Sequence, residues 1–416
     1  MLFPPRQPKR DDPQRVVVTG VGVVTAHGAG YCRNLQAIFK GIPAFKAVRL
    51  FDVSRHRAKR AAVVDLMLLN PPRRLSTNHL SRIERASLLL LAAAGECINE
   101  SGLDSFAEPI PIILGTTSGG MSLGENYYRT SVESPRARRN QASRVVHYQC
   151  QKQALDICDE FQIEGPITII ANACASGSNA IGHAFHQVRS GKTEIALTGG
   201  FDGVSELVFS GFDTLQALST TECRPFDAKR DGLALGEGAA VFAIENLDHA
   251  TKRGASIIGE IVGYGASTDA HHLTQPHPEG IAALKSMLEA TEDAKVNVEE
   301  IGYINAHGTG TVLNDISETH AIQSWAGNHV QNLDVSSTKS SIGHTLGAAG
   351  AIEAAICIMA LNEKMLPPTA SCQNPDPAIR FQLLNHPKEK KTEYILSNSF
   401  GFGGANATLI FKKFNG

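Results

Sequence analysis

The chain has 416 residues, 42% of them hydrophobic, and a formal net charge of −2. That length accommodates two or three compact units or one pseudo-duplicated one, and 38 glycines suit an α/β protein with close helix packing. The near-neutral balance offers no basic field for nucleic acid, and the longest apolar run, residues 88–94, is too short to span a bilayer.

Residues 1–14 are polar and Pro-rich, lack the apolar run of a signal peptide, and are expected to be a disordered lead-in. Residues 15–25, RVVVTGVGVVT, read as a buried strand. Its Gly20, Gly22 and Thr25 miss the last glycine of GxGxxG, and no acid follows about 20 residues on, which argues against a dinucleotide fold. Residues 45–76 predict an irregular surface excursion carrying RHRAKR (55–60) and Arg73-Arg74. Such charge runs are usually a solvated face; the alternative is a docking patch for an acidic partner. Residues 80–101 predict a buried helix closed by Gly102, residues 111–115 a strand before the glycine turn TTSGGMS, and residues 140–161 a helix.

Residues 167–185, ITIIANACASGSNAIGHAF, run from a β-branched strand through a turn of small residues into a helix, with Cys174 at the turn. A thiol there sees unpaired N–H groups and the positive end of the helix dipole, and both favour the thiolate. Taken alone, a cysteine is more often a buried structural residue. The eight cysteines form no CxxC and no zinc-type spacing, so they are expected to be reduced thiols in a cytoplasm.

Residues 194–200 predict a strand, and residues 224–245 a charged loop ending in another. From residue 257 the pattern restarts: IIGEIVGYGAST matches RVVVTGVGVVT in type. A helix (280–294), strands (301–308 and 333–340) and a small-residue helix (344–361) follow, before EYILSNSFGFGGANATLIFKK. The alternation predicts an internal duplication, with halves at 15–255 and 256–416. Four strand ends then carry unusual residues: Cys174, His307, Lys339 with His344 five residues on, and the turn FGFGG around Phe402. In α/β sheets, ligands gather beyond the carboxyl ends of strands.

ACASGS around Cys174, NAHGTGT around His307, STKS around Lys339, GHTLGAAGAIE around His344 and NSFGFGG around Phe402 follow one another over nearly the whole chain. Together they resemble the β-ketoacyl-acyl-carrier-protein synthases of the elongating, Cys-His-His class. The resemblance implies a thiolase-like, layered α-β-α-β-α fold from two duplicated halves. It implies a decarboxylative Claisen condensation between an acyl group held on Cys174 and malonyl-acyl-carrier protein. It implies no metal and no cofactor, the substrates riding on the phosphopantetheine of acyl carrier protein. The implied setting is cytoplasmic, as a homodimer or a heterodimer with a related ketosynthase-like subunit, with no nucleic-acid or membrane partner.

The same resemblance assigns roles. Cys174 takes the acyl chain, and the N–H groups of Cys174 and Phe402 form the oxyanion hole. His307 and His344 stabilise the enolate. Lys339 anchors the electrostatics around His344, with Glu353 nearby. Thr309 and Thr311 hold the pantetheine arm; Phe212, Phe400 and Ser118 complete the substrate-binding set; Asp315 and Glu318 are supporting acids. Three departures point to a specialised synthase of fatty acid, polyketide or polyene elongation. Ser118 stands where a bulky aliphatic residue lines the acyl tunnel, the segment 218–224 is short, and Gly310 and Ala405 replace a usual Ser and Thr. A non-elongating, chain-length-factor-like subunit and a thiolase-type acyltransferase are the alternatives. The nucleophile with both histidines argues against the first, and Phe402 in place of a second cysteine against the other.

Overall fold

The computed structural model describes residues 13–103, 108–134 and 146–416. Eleven strands form the body of one large sheet: β1 (Val16–Thr25), β2 (Ile112–Gly115), β3 (Ile167–Ile170), β4 (Ile195–Asp202), β5 (Gly238–Asn246), β6 (Gly259–Thr268), β7 (Ile301–Asn305), β8 (Asp334–Ser336), β9 (Gln382–Leu383), β10 (Tyr394–Phe400) and β11 (Ala405–Lys412). From one edge the strands run β3-β2-β4-β5-β1. From the other edge, inside the short β9, they run β8-β7-β10-β11-β6. The two orders are the same when each half is counted in chain order without β9. In both, the outer three strands are parallel and the inner two antiparallel. The halves meet where β1 pairs antiparallel with β6 over residues 16–18 and 259–261.

The helices that matter are α1 (Arg85–Ser101), α2 (Gln151–Phe161), α3 (Ser176–Arg189), α4 (Glu206–Thr214), α5 (Ile281–Ala294), α6 (Val312–Ala326) and α7 (Ala349–Glu363). Strand alternation sorts them into layers. Ile113 faces inward with Ile181, Phe185 and Ile352, a core that joins α3 and α7. Ile112 and Leu114 face outward onto Leu89, Leu90 and Ile157 of α1 and α2. On the other half, Ile304 and Leu396 face outward onto Met287 of α5 and Trp325 of α6. The result is helix, sheet, helix, sheet, helix, the thiolase-like layering.

The central pair packs closely on the sheet and within itself because glycine makes the contacts. A Cβ on Gly115 would lie 2.3 Å from the carbonyl carbon of Ser176, and one on Gly350 would lie 2.2 Å from Ser178 Oγ. Residues 346–363 are long and apolar enough to cross a membrane, yet 89% of that window is buried inside the protein.

Several local expectations shift. The helix predicted from residue 80 starts at Arg85, where the Glu84 side chain accepts from Ala86 N–H and caps it. The strand predicted over 333–340 ends at Ser336, and Lys339 opens the four-residue helix Lys339–Ile342. The helix predicted over 140–161 is α2; residues 140–145 lie outside the described residues. Residues 1–12 of the expected lead-in also lie outside them, while Gln14 N–H donates to Arg189 carbonyl at 3.1 Å. Helix Met121–Glu133 and α4 were not expected.

Candidate active site

Three buried turns bring the site together, and two of them hold a non-glycine residue in the left-handed region. After β3 the chain turns at Ala173, φ 59°, in the left-handed region, which costs an alanine about 1–2 kcal/mol. Ser176 stabilises the turn: its Oγ donates to Ala173 carbonyl at 2.5 Å and accepts from Asn172 N–H at 3.0 Å. The strained turn sets Cys174 on a short 3₁₀ turn, Ala173–Ala175, that leads into α3. The sulfur lies under two backbone N–H groups, its own and that of Phe402.

The second turn carries His307 after β7. Two acids, three residues apart on the buried face of α6, collect its N–H groups. Glu318 accepts from His307 at 2.8 Å and from Gly308 at 2.7 Å. Asp315 accepts from Thr309 at 3.0 Å and Gly310 at 3.1 Å, and also from Phe226 at 2.7 Å. Phe226 has φ 64°, and its ring closes over Gly308.

The third turn carries His344. Its Nδ1 accepts the Leu346 N–H at 3.2 Å, and Leu346 has φ 55°. Lys339 is buried between its partners, bonded to the Glu353 carboxylate and 3.4 Å from His307 Nδ1. An ammonium only donates, so His307 Nδ1 is an acceptor and the ring hydrogen sits on Nε2. The Leu346 N–H imposes the same tautomer on His344. Lys339 thus contacts His307, and its charge depresses both imidazoles, that of His344 included. One ring nitrogen from each histidine and the Cys174 sulfur lie within 4.8 Å of one another, and the rings cross at 85° with centroids 5.3 Å apart. Spacing alone would suit a metal ion. The donor set does not, because each Nε2 carries hydrogen and each Nδ1 is already used.

The electrostatics reverse one expectation. Burial pushes the Cys174 thiol up to about 12, and the charge of Lys339 and the Phe402 N–H only partly oppose this. The resting nucleophile is therefore a thiol and not the thiolate that a helix start favours. Burial first, and the Lys339 charge second, hold both histidines well below 6.5, so both are neutral donors. Burial also pushes Glu353 up to about 7 against the pull of Lys339.

A cavity of about 300 Å³ descends to Cys174, His307 and His344 past Thr309, Thr311 and Phe212. Phe212 stacks on Phe402 at 5.6 Å, and Phe400 lies 5.8 Å from the His307 ring. The Phe402 turn reaches back to residues 269–273: Gly403 N–H donates to Leu273 carbonyl and Asp269 N–H to Gly404 carbonyl. Ser118 does not line this cavity; its hydroxyl donates to Asp202 at 2.7 Å. Sequence reasoning missed His272 and Gln275 at the cavity wall, and Asn398, which donates to Glu318 at 3.2 Å. None sits in a glycine turn after a strand, the signal that revealed the others. Asp202 did carry a signal, a lone acid ending an apolar strand, and it was passed over.

Residues 13–250 match the family model of the β-ketoacyl synthase N-terminal domain, and residues 258–373 that of its C-terminal domain. The chain belongs to the β-ketoacyl synthase family. It is 35% identical over 412 residues to a 3-oxoacyl-[acyl-carrier-protein] synthase 2 of Synechocystis, covering 96% of this chain and 98% of that one. Among solved structures, the ishigamide ketosynthase/chain length factor matches with a TM-score of 0.90 at 30% identity, over 97% of this chain and 100% of that one. A type II PKS ketosynthase, solved in complex with its acyl-carrier protein and bound to the hexaketide, matches at 0.86 and 25% identity, over 97% and 100%. This β-ketoacyl synthase is an acyltransferase, and its three-residue centre sits in both matched domains: Cys174 in the first, His307 and His344 in the second.

Proposed function

We propose that this β-ketoacyl synthase elongates acyl chains carried on acyl carrier protein, by decarboxylative condensation with malonyl-acyl-carrier protein. The observation that carries this reading is one buried thiol facing two neutral imidazoles whose hydrogens are both locked on Nε2. In the first step the Cys174 sulfur attacks the thioester carbon. The carbon–sulfur bond to pantetheine breaks, and the departing sulfur takes the hydrogen that the thiol gives up. The attacking form is the thiolate, which the Lys339 charge and the N–H groups of Phe402 and Cys174 favour against burial. The N–H groups of Cys174 and Phe402 receive the oxygen of the tetrahedral intermediate.

Malonyl-carrier protein then enters past Thr309 and Thr311. Its carboxylate–methylene bond breaks, carbon dioxide leaves, and the electron pair becomes an enolate whose oxygen accepts hydrogen bonds from both Nε2–H groups. The carbanion attacks the acyl-Cys174 carbon. The carbon–sulfur bond breaks, and Cys174 leaves as thiolate and regains a proton from solvent. Splitting one condensation into two transfers is the gain of covalent catalysis. Lys339 acts through His307, Glu353 through Lys339, and Asp315 and Glu318 through the backbone of the His307 turn.

The chain uses no cofactor of its own in this reading, works in the cytoplasm and pairs as a homodimer. Pairing with a related ketosynthase-like subunit is the second reading, favoured by the ketosynthase/chain length factor match. Intact-mass measurement after incubation with acyl-carrier protein tests the first step. A single acyl adduct on wild type and none on Cys174→Ala is expected; an adduct on the variant would sink the assignment. Cys174→Gln should still release carbon dioxide from malonyl-carrier protein, and His344→Ala should not.

A further inference from the structure

We propose that Asp202 is a positioning residue that holds His344 in its donor tautomer and ties that turn to the turn at Thr116–Ser118. This rests on the enolate role of His344 given above. Asp202 ends β4 and is fully buried. Its carboxylate collects five donors from two separate segments. Oδ1 accepts from the Thr116 hydroxyl at 2.8 Å, the Ser118 N–H at 2.8 Å and the Ser118 hydroxyl at 2.7 Å. Oδ2 accepts from the Thr117 N–H at 2.8 Å and the Gly347 N–H at 2.6 Å.

The Gly347 bond is the link to chemistry. Gly347 follows Leu346, whose left-handed φ of 55° persists only if its surroundings over-determine it. On one side the Leu346 N–H is bound by His344 Nδ1; on the other, Asp202 pins the next N–H. A Cβ at Gly347 would lie 2.7 Å from Asp202 Oδ2 and 2.5 Å from Thr117 N, so nothing but glycine lets the acid approach so closely. Without the anion the turn is free to relax to an ordinary φ. The Leu346 N–H then leaves Nδ1, the ring hydrogen is no longer confined to Nε2, and one of the two enolate donors is lost. Cys174 acylation uses a different pair of donors, the N–H groups of Cys174 and Phe402, and the Asp202 charge reaches Cys174 only by raising its thiol, so losing it should not slow acylation.

Asp202→Asn keeps the size but removes the charge and turns one acceptor oxygen into a donor facing donors. It is expected to slow malonyl decarboxylation at least tenfold while the rate of Cys174 acylation, read by mass, stays within about threefold of wild type. Imidazole ¹⁵N spectra should show His344 as the Nε2–H tautomer in wild type and as a mixture in the variant. Equal losses in both half-reactions, or an unchanged tautomer, would overturn the proposal. If Asp202→Asn does not fold, Asp202→Glu, which keeps the charge but displaces Gly347, should show the same selective loss to a smaller degree; equal losses there would also overturn it. His344→Ala run in parallel separates the two ideas. Decarboxylation that survives His344→Ala removes the enolate role itself, whereas its loss there with no effect at Asp202 removes only this inference.

Discussion

Every polar group that would react in this site is neutral at rest. For Cys174 this gives a sharp expectation. Below a thiol value of about 12 the thiolate fraction grows roughly tenfold per pH unit, so iodoacetamide alkylation of Cys174 should keep climbing from pH 7 to pH 9. A plateau beginning below pH 8 would mean that the helix start and Lys339 outweigh burial. For the histidines the sign is opposite: a group held well below 6.5 stays neutral as acid is added. The imidazole ¹⁵N shifts of His307 and His344 should therefore show no protonation between pH 6 and 8, and protonation centred near 6.5 would contradict two neutral donors. Lys339→Met should cut decarboxylation by removing the donor on His307 Nδ1. It should also cost about 3 kcal/mol in urea unfolding, because Glu353 is left buried without its partner.

At the scale of elements, the glycine contacts between the sheet and α3 decide where the thiol sits. Gly115→Ala drives a methyl group to 2.3 Å from the Ser176 carbonyl carbon, against backbone that cannot yield like a side chain. Unfolding experiments should show a loss of at least about 2 kcal/mol with weakened acylation; a neutral result would mean that α3 can shift without cost. How far these elements could be read in the sequence follows their own physics. Cys174, His307 and His344 were legible because each sits in a turn of small residues after a β-branched run, a local pattern. Lys339 was legible as a residue but not as the first residue of a helix, since three residues of strand and four of helix carry no periodicity. The contact of Lys339 with His307 was not legible, because the side chain reaches 32 positions back in the chain. The Asp202 bonds span 84 to 145 positions, and nothing in the local pattern marks such separations. Ser118 was recognised by position, but the direction of its hydroxyl depended on Asp202.

On the scale of the whole molecule, the two basic segments noted in the sequence part company. Arg57 and Ala58 donate their backbone N–H groups to Asp213 of α4, the helix that brings Phe212 to the cavity. Arg73 and Arg74 donate theirs to Glu160 of α2, on the outer layer of the first half. Only the first segment is attached to the way in. Charge reversal at Arg55 and Arg57 should raise KM for acyl-carrier protein several-fold, and more steeply at low salt, while reversal at Arg73 and Arg74 should not. The opposite ranking would move the proposed docking face to the outer helices.

The pairing of α3 with α7 also matters during synthesis. The small-residue face of α3 leaves the ribosome long before residues 349–363 exist to cover it, a wait of roughly ten to thirty seconds at ordinary elongation rates. Through that interval β1 also waits for β6, so the nascent first half exposes an apolar helix face and part of a strand edge. The duplication that puts the thiol and its two imidazoles on facing turns therefore makes the first half, while it waits on the ribosome, a natural client for chaperones.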